Sequence, residues 1–150
     1  ASQWCFNKNI NLEEALGWAQ RAITGFNGQK SYPSMRNLAV GYEKLNRLQQ
    51  ADSVMSEALT MATVNQYAGY ARALITQKRN DKSLEVLNAA KTKFGDVFAV
   101  NNAMSFVYAA KADYKKAIVF AEKALAQATE QQKAAISGNI AKLKEGKDIN

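Results

Sequence analysis

The chain has 150 residues and a net charge of +7, with one proline (Pro33), eight glycines, one cysteine (Cys5) and no histidine. This length fits one domain with a substantial core, and the abundance of Ala, Leu, Lys, Gln and Glu favours helix throughout. A His/Cys zinc site, a Ser-His-Asp triad and a Cys-His pair are excluded by what is missing, and no group of carboxylates, lysines or tyrosines stands out as an acid–base cluster.

In chain order, residues 2–8 read as the end of a first helix. Cys5 lies in that run and reads as a small buried apolar residue. The partner helix runs from Asn11 through Thr24, with Asn11 and Glu14 spaced as a capping box. A loop follows from Phe26 to Lys30, marked by the turn signal Asn27-Gly28. The stretch from Gly25 to Ser31 superficially resembles a nucleotide-binding loop. The spacing fails, because Gln29 separates Gly28 from Lys30 and no glycine stands five residues before Gly28. It reads as a turn. Helices are then predicted at about 32–46, 48–62, 64–78, 81–94, 98–111 and 114–128. Pro33 suits the first turn of its helix, and Phe94-Gly95-Asp96 ends another. A final amphipathic helix, about 130–146, carries Ile136, Ile140 and Leu143 on one face and lysines on the other, and reads as a cap.

These segments repeat. Leu12-Glu13-Glu14-Ala15, Leu48-Gln49-Gln50-Ala51, Asn80-Asp81-Lys82-Ser83 and Tyr114-Lys115-Lys116-Ala117 each end on a small residue, and the phrases are 36, 32 and 34 residues apart. A small residue returns seven positions later, as Ala22, Ala58, Ala90 and Ala124. Upstream, Leu38-Ala39 with Tyr42, Tyr70-Ala71 with Leu74, and Met104-Ser105 with Tyr108 give a large-small pair and then a large residue one turn on. Small side chains admit a neighbouring helix, and large ones fill the space beside it.

With a period of about 34, the chain resembles the tetratricopeptide-repeat family. Ser105, Tyr108, Ala112, Tyr114, Ala117 and Ala124 stand at the family's signature positions. The usual terminal proline is absent, Ser83 replaces a signature alanine, and Lys78 and Asn46 stand near turns where the family prefers glycine. The resemblance implies an all-α, right-handed superhelix of antiparallel helix pairs with a C-terminal capping helix. One domain would span 1–150, with a partial repeat at 1–25, repeats at about 32–62, 64–95 and 98–129, and the cap.

The stretches Asn9-Ile10-Asn11-Leu12-Glu13-Glu14-Ala15-Leu16-Gly17-Trp18-Ala19 and Ile140-Ala141-Lys142-Leu143-Lys144-Glu145-Gly146-Lys147-Asp148-Ile149-Asn150 resemble the helical tail of bacterial proteins in the domain-of-unknown-function family numbered 2911. There a β-rich domain precedes the tail and an export signal precedes both. This resemblance implies the C-terminal part of a longer periplasmic or cell-envelope protein, with no activity attached.

The aromatics Trp4, Trp18, Tyr42, Tyr67, Tyr70, Tyr108 and Tyr114 fall at helical spacing and read mostly as core. No apolar run approaches the ~20 residues of a membrane span. Residues 76–150 hold thirteen Lys/Arg against eight Asp/Glu, but the lysines are spread out, without arginine clusters or interleaved aromatics, so no nucleic-acid partner is expected.

In the implied architecture the first helix of each pair lines a concave face. Its lining would include Arg36, Val40 and Glu43, then Asn65 and Arg72, then Asn102 and Phe106. Arginine holds carboxylates through parallel bonds, asparagine pairs with peptide backbone, and Phe106 offers apolar contact. Some family members clamp a partner's terminal carboxylate with lysine and asparagine. The matching positions here hold Arg36, Val40, Gly69 and Ala103, so that pattern is not met. The expectation is a non-enzymatic protein- or peptide-binding module, with no catalytic residue, metal or cofactor. The alternative is a structural or self-association tail supporting an upstream domain, with a homodimer through an exposed N-terminal face near Trp4 and Phe6.

Overall fold

The computed structural model describes residues 1–150, and its regular structure is all helical. The helices are α1 (Ser2–Lys8), α2 (Leu12–Thr24), α3 (Tyr32–Lys44), α4 (Leu48–Thr60), α5 (Val64–Thr76), α6 (Asn80–Phe94), α7 (Phe98–Ala110), α8 (Tyr114–Gln127) and α9 (Glu130–Lys144). Every helix read from the sequence is present, with ends within two residues of those predicted. The chain divides into two compact units, Ala1–Ala62 and Thr63–Asn150.

In the first unit α2 packs on α3 and α3 on α4, while α1 lies against α2 and α3. Cys5, Phe6, Ala15, Leu16, Ala19 and Leu38 form its core cluster, with Trp18 and Tyr42 packed at the edge. At Gly41 α3 approaches α1 and α2 closely. A Cβ there would stand 2.6 Å from the Phe6 ring and 2.9 Å from Leu16 Cδ1. Three expectations need correction. Phe6 is fully buried, so of the expected pair Trp4 and Phe6 only Trp4, 59% exposed, is open to solvent. Ala22 is exposed, so the second small residue of the first phrase makes no helix crossing. Asn11 caps nothing with its side chain, because its backbone is left-handed (φ 47°), whereas a capping box needs an extended N-cap.

The glycine-containing loop after α2 is a closed turn. The Gly28 N–H donates to the Gly25 carbonyl at 2.7 Å and the Gln29 N–H to the Ala22 carbonyl at 3.1 Å. A Cβ on Gly28 would lie 2.8 Å from backbone atoms of Gly25 and Ile23, so glycine is demanded by crowding.

The second unit continues the pairing, with α5 on α6, α7 on α8 and α9 on α8, while α5 and α7 lie side by side. Ala71, Leu74, Leu87, Ala90, Val100 and Val107 have no exposed surface. Ile136, Ile140 and Leu143 bury the inner stripe of α9 against Ala109, Ala117 and Ala121. The repeated small positions Ala51, Ala58, Ala90, Ala117 and Ala124 are all at 0% exposure, as is Ser83. Ser83 keeps the spacing without being alanine because its hydroxyl donates to the Ala71 carbonyl at 2.8 Å.

Three helix pairs share one turn. Asn46 (φ 56°), Lys78 (φ 61°) and Ala112 (φ 57°) each adopt the left-handed conformation. The next residue's N–H reaches back to the carbonyl of Tyr42 (2.8 Å), Leu74 (2.8 Å) or Tyr108 (2.9 Å), closing each helix end in the same way. The turns where glycine is missing therefore keep the backbone geometry that glycine would serve.

Candidate functional site

The seven candidate lining residues fall on α3, α5 and α7, the first helices of their pairs. On α3, Arg36 Nη1 donates to Glu43 Oε1 at 3.1 Å, with the two side chains only 21% and 11% exposed. Two turns of helix put both residues on one face, and they satisfy each other. Val40, between them, packs partly buried against the core cluster of the first unit. This face offers a matched ion pair.

The second unit is different. Asn65 and Arg72 sit two turns apart on α5, and Asn102 and Phe106 one turn apart on α7. Side-by-side packing of these helices lays the Arg72 guanidinium over the Phe106 ring, 3.5 Å from its centroid. Phe106 is consequently only 8% exposed. The sequence suggested an open apolar contact; here that ring is already covered.

The segment after α9 also reaches the backbone of α7. After α9, Gly146 turns in the left-handed conformation (φ 71°). The Lys147 N–H caps the helix on the Lys142 carbonyl at 3.0 Å. The tail then folds back along the unit. Ile149 packs against the α7–α9 cluster. Asn150 Nδ2 donates to the Phe106 carbonyl at 3.0 Å. The Asp148 carboxylate accepts from the Ile149 N–H at 2.7 Å and from Asn150 Nδ2 at 2.7 Å, which fixes the tail as a hook. Gly146 just beyond the last helix was the one sequence signal for this reversal.

Between α5 and the tail lies a cleft of about 280 Å³ lined by Arg72, Ile75, Thr76, Lys78, Asp148 and Asn150. Burial alone lowers the pKa of Arg72 below the ordinary arginine value. Its guanidinium stacks on Phe106. The Thr76 hydroxyl donates to the Arg72 carbonyl at 3.3 Å.

The structure also joins lysines and aromatics that are scattered in sequence. Tyr108 and Phe120 stack with centroids 5.4 Å apart. Lys91 and Lys123 lie 5.5 Å from the Phe120 centroid, and Lys116 lies 5.3 Å from that of Tyr108. Acidic side chains interrupt this patch. Asp96 pairs with Lys123 at 3.1 Å and approaches Lys91 at 4.0 Å, and Asp113 pairs with Lys116 at 3.2 Å. A wider hollow of about 720 Å³ beside Tyr114, Lys115, Ile118 and Lys144 also includes Lys111, which is tied to Asp81.

Fold and site define an all-α protein of antiparallel helix pairs whose second unit holds a small cationic cleft. No family model, curated protein or solved structure matches the chain. No helix is long and apolar enough to cross a membrane.

Proposed function

We propose that this is a non-enzymatic peptide- or protein-binding module of the tetratricopeptide type, working through the α5/α7 face of its second unit. One observation carries the reading. Arg72, held over Phe106, meets no carboxylate, whereas Arg36 on α3 is matched by Glu43. A solvent-exposed arginine, held by a ring stack and without a counter-ion, is poised for an external one. Asn65, two turns before Arg72 on α5, and Asn102, one turn before Phe106 on α7, supply amide donors and acceptors suited to peptide backbone. The wider context we propose is the helical tail of a periplasmic or cell-envelope protein.

The test compares captured partners from source-cell extract, using wild type, Arg72→Ala, Asn65→Ala/Asn102→Ala and Lys115→Ala/Lys116→Ala proteins. Partners lost with the first two variants and kept with the lysine pair support the face. Partners lost only with the lysine pair refute it.

A second reading, self-association, is favoured by Trp4 at 59% exposure together with exposed Ile10 in the first unit. Exposed aromatic side chains have large apolar area to gain from a partner.

A further inference from the structure

We propose that the cleft between α5 and the C-terminal hook is a carboxylate-binding subsite, which takes an acidic side chain of a bound peptide. This rests on reading the α5/α7 face as a peptide groove, and it names what that groove selects.

Four features point to the ligand. Arg72 and Lys78 place two positive charges on the α5 side of the cleft. The stack on Phe106, at 3.5 Å, fixes the plane of the Arg72 guanidinium and leaves the edge of its N–H fork for an acceptor lying in that plane. The backbone of Lys78 is placed at the cleft by its left-handed turn, closed by its own N–H on the Ile75 carbonyl at 2.8 Å. The acid nearest by position, Asp148 on the opposite wall, has its carboxylate turned to the amides of Ile149 and Asn150. The cleft thus contains two cationic donors, one of them fixed by its ring stack, against one carboxylate whose Oδ1 accepts from amides of the tail. Its volume, about 280 Å³, suits one side chain and is small for a folded surface.

A peptide is favoured over a free small anion by the flanks. Asn65 and Asn102 extend the polar face along α5 and α7 beyond the cleft. The bond from Asn150 to the Phe106 carbonyl, 3.0 Å, already shows this face accepting peptide-type hydrogen bonds.

The experiment uses the full chain and fluorescein-labelled hexaglutamate, with hexaglutamine as its neutral counterpart, followed by anisotropy. Hexaglutamate should bind at least about tenfold tighter than hexaglutamine. Arg72→Ala should remove most of that difference, and Lys78→Ala a smaller part, since a flexible ammonium loses less directional bonding. A Lys91→Ala/Lys123→Ala protein, with circular dichroism checked for all variants, should bind as wild type does. Equal loss with the Lys91/Lys123 pair and with Arg72→Ala would mean general attraction to a basic protein and overturn the subsite. Competition by free glutamate or inorganic phosphate at the peptide's own affinity would overturn the peptide assignment. No hexaglutamate binding, alongside partner capture still lost in Asn65→Ala/Asn102→Ala, overturns the subsite and leaves the groove. Absence of both overturns the groove as well.

Discussion

Three positions show how single residues depart from a pattern while keeping its physics. Ala112 occupies a left-handed turn at φ 57° with a Cβ that disfavours it. A left-handed residue costs about 1–2 kcal/mol, part of which glycine gives back in unfolded-chain entropy. Ala112→Gly should therefore stabilise the protein by up to about 1 kcal/mol, read as a raised midpoint in thermal or urea unfolding. Gly41 is the opposite case. Alanine is the better helix former by about 1 kcal/mol, yet its Cβ would meet the Phe6 ring at 2.6 Å and Leu16 at 2.9 Å. Gly41→Ala should destabilise by about 1–3 kcal/mol through overpacking. An unchanged melt would mean that α1 and α2 yield freely to α3. Ala117, at 0% exposure under α9, should behave in the same way when enlarged to leucine.

At the scale of the element, helix ends carry the turns that the repeat period implies. Ser31 with Ser34 and Thr63 with Gln66 form reciprocal capping boxes on α3 and α5. Asp113 begins α8. The Lys116 backbone N–H donates to its carboxylate at 3.2 Å. That bond, with the Lys116 ammonium adding to it, holds the Asp113 carboxyl below its ordinary pKa of 3.8. A depressed carboxyl pKa means the folded state binds the proton more weakly than the unfolded state. The cap's contribution is therefore fully present above pH 3.8 and is lost as pH falls through the lower folded value. The protection factor of the Lys116 amide, taken against its intrinsic exchange rate at each pH, should fall across that acid range, and Asp113→Asn should flatten the dependence. The C-terminal hook is the other element-scale feature. Ile149→Ser/Asn150→Ala removes its apolar seat and its bond to Phe106, and should make residues 147–150 the first site of limited proteolysis, with α9 still protected.

Across the whole molecule, charge is uneven. Residues 1–62 carry six Lys/Arg and five Asp/Glu, and residues 63–150 fourteen and eight. Anionic partners should engage the second unit, and their affinity should fall with salt, because exposed charges are screened beyond roughly 8 Å at physiological ionic strength. Exposed apolar residues mark the first unit instead, among them Phe26, Trp4 and Ile10. If that face drives self-association, light scattering across a dilution series should show a rising mass with concentration that Trp4→Ser abolishes. Persistence of the dimer in that variant would locate the contact elsewhere. Phe6 is unsuitable as a probe, since a fully buried ring lost from the core costs about 3–5 kcal/mol and would test folding.

The sequence by itself determined the helices, their pairing order and most of the small residues at their crossings. These follow from local propensity and a period of about 34, both written along the chain. Ala51, Ala117 and Ala124 were legible because a helix crossing leaves room for nothing larger. Spacing alone left undecided which lining residues remain open. Arg36 and Glu43 pair across two turns, Arg72 lies on Phe106, and Phe6 turns inward beneath Gly41. Each outcome depends on side-chain direction and on which neighbour arrives first, and neither has a period. The cleft was the least legible of all. One wall is helix α5, and the other is a tail returning from residues 147–150, over seventy positions away, through a reversal at Gly146. Periodicity reports on contacts within a repeat; a contact made by a segment outside every repeat exists only once the chain has folded.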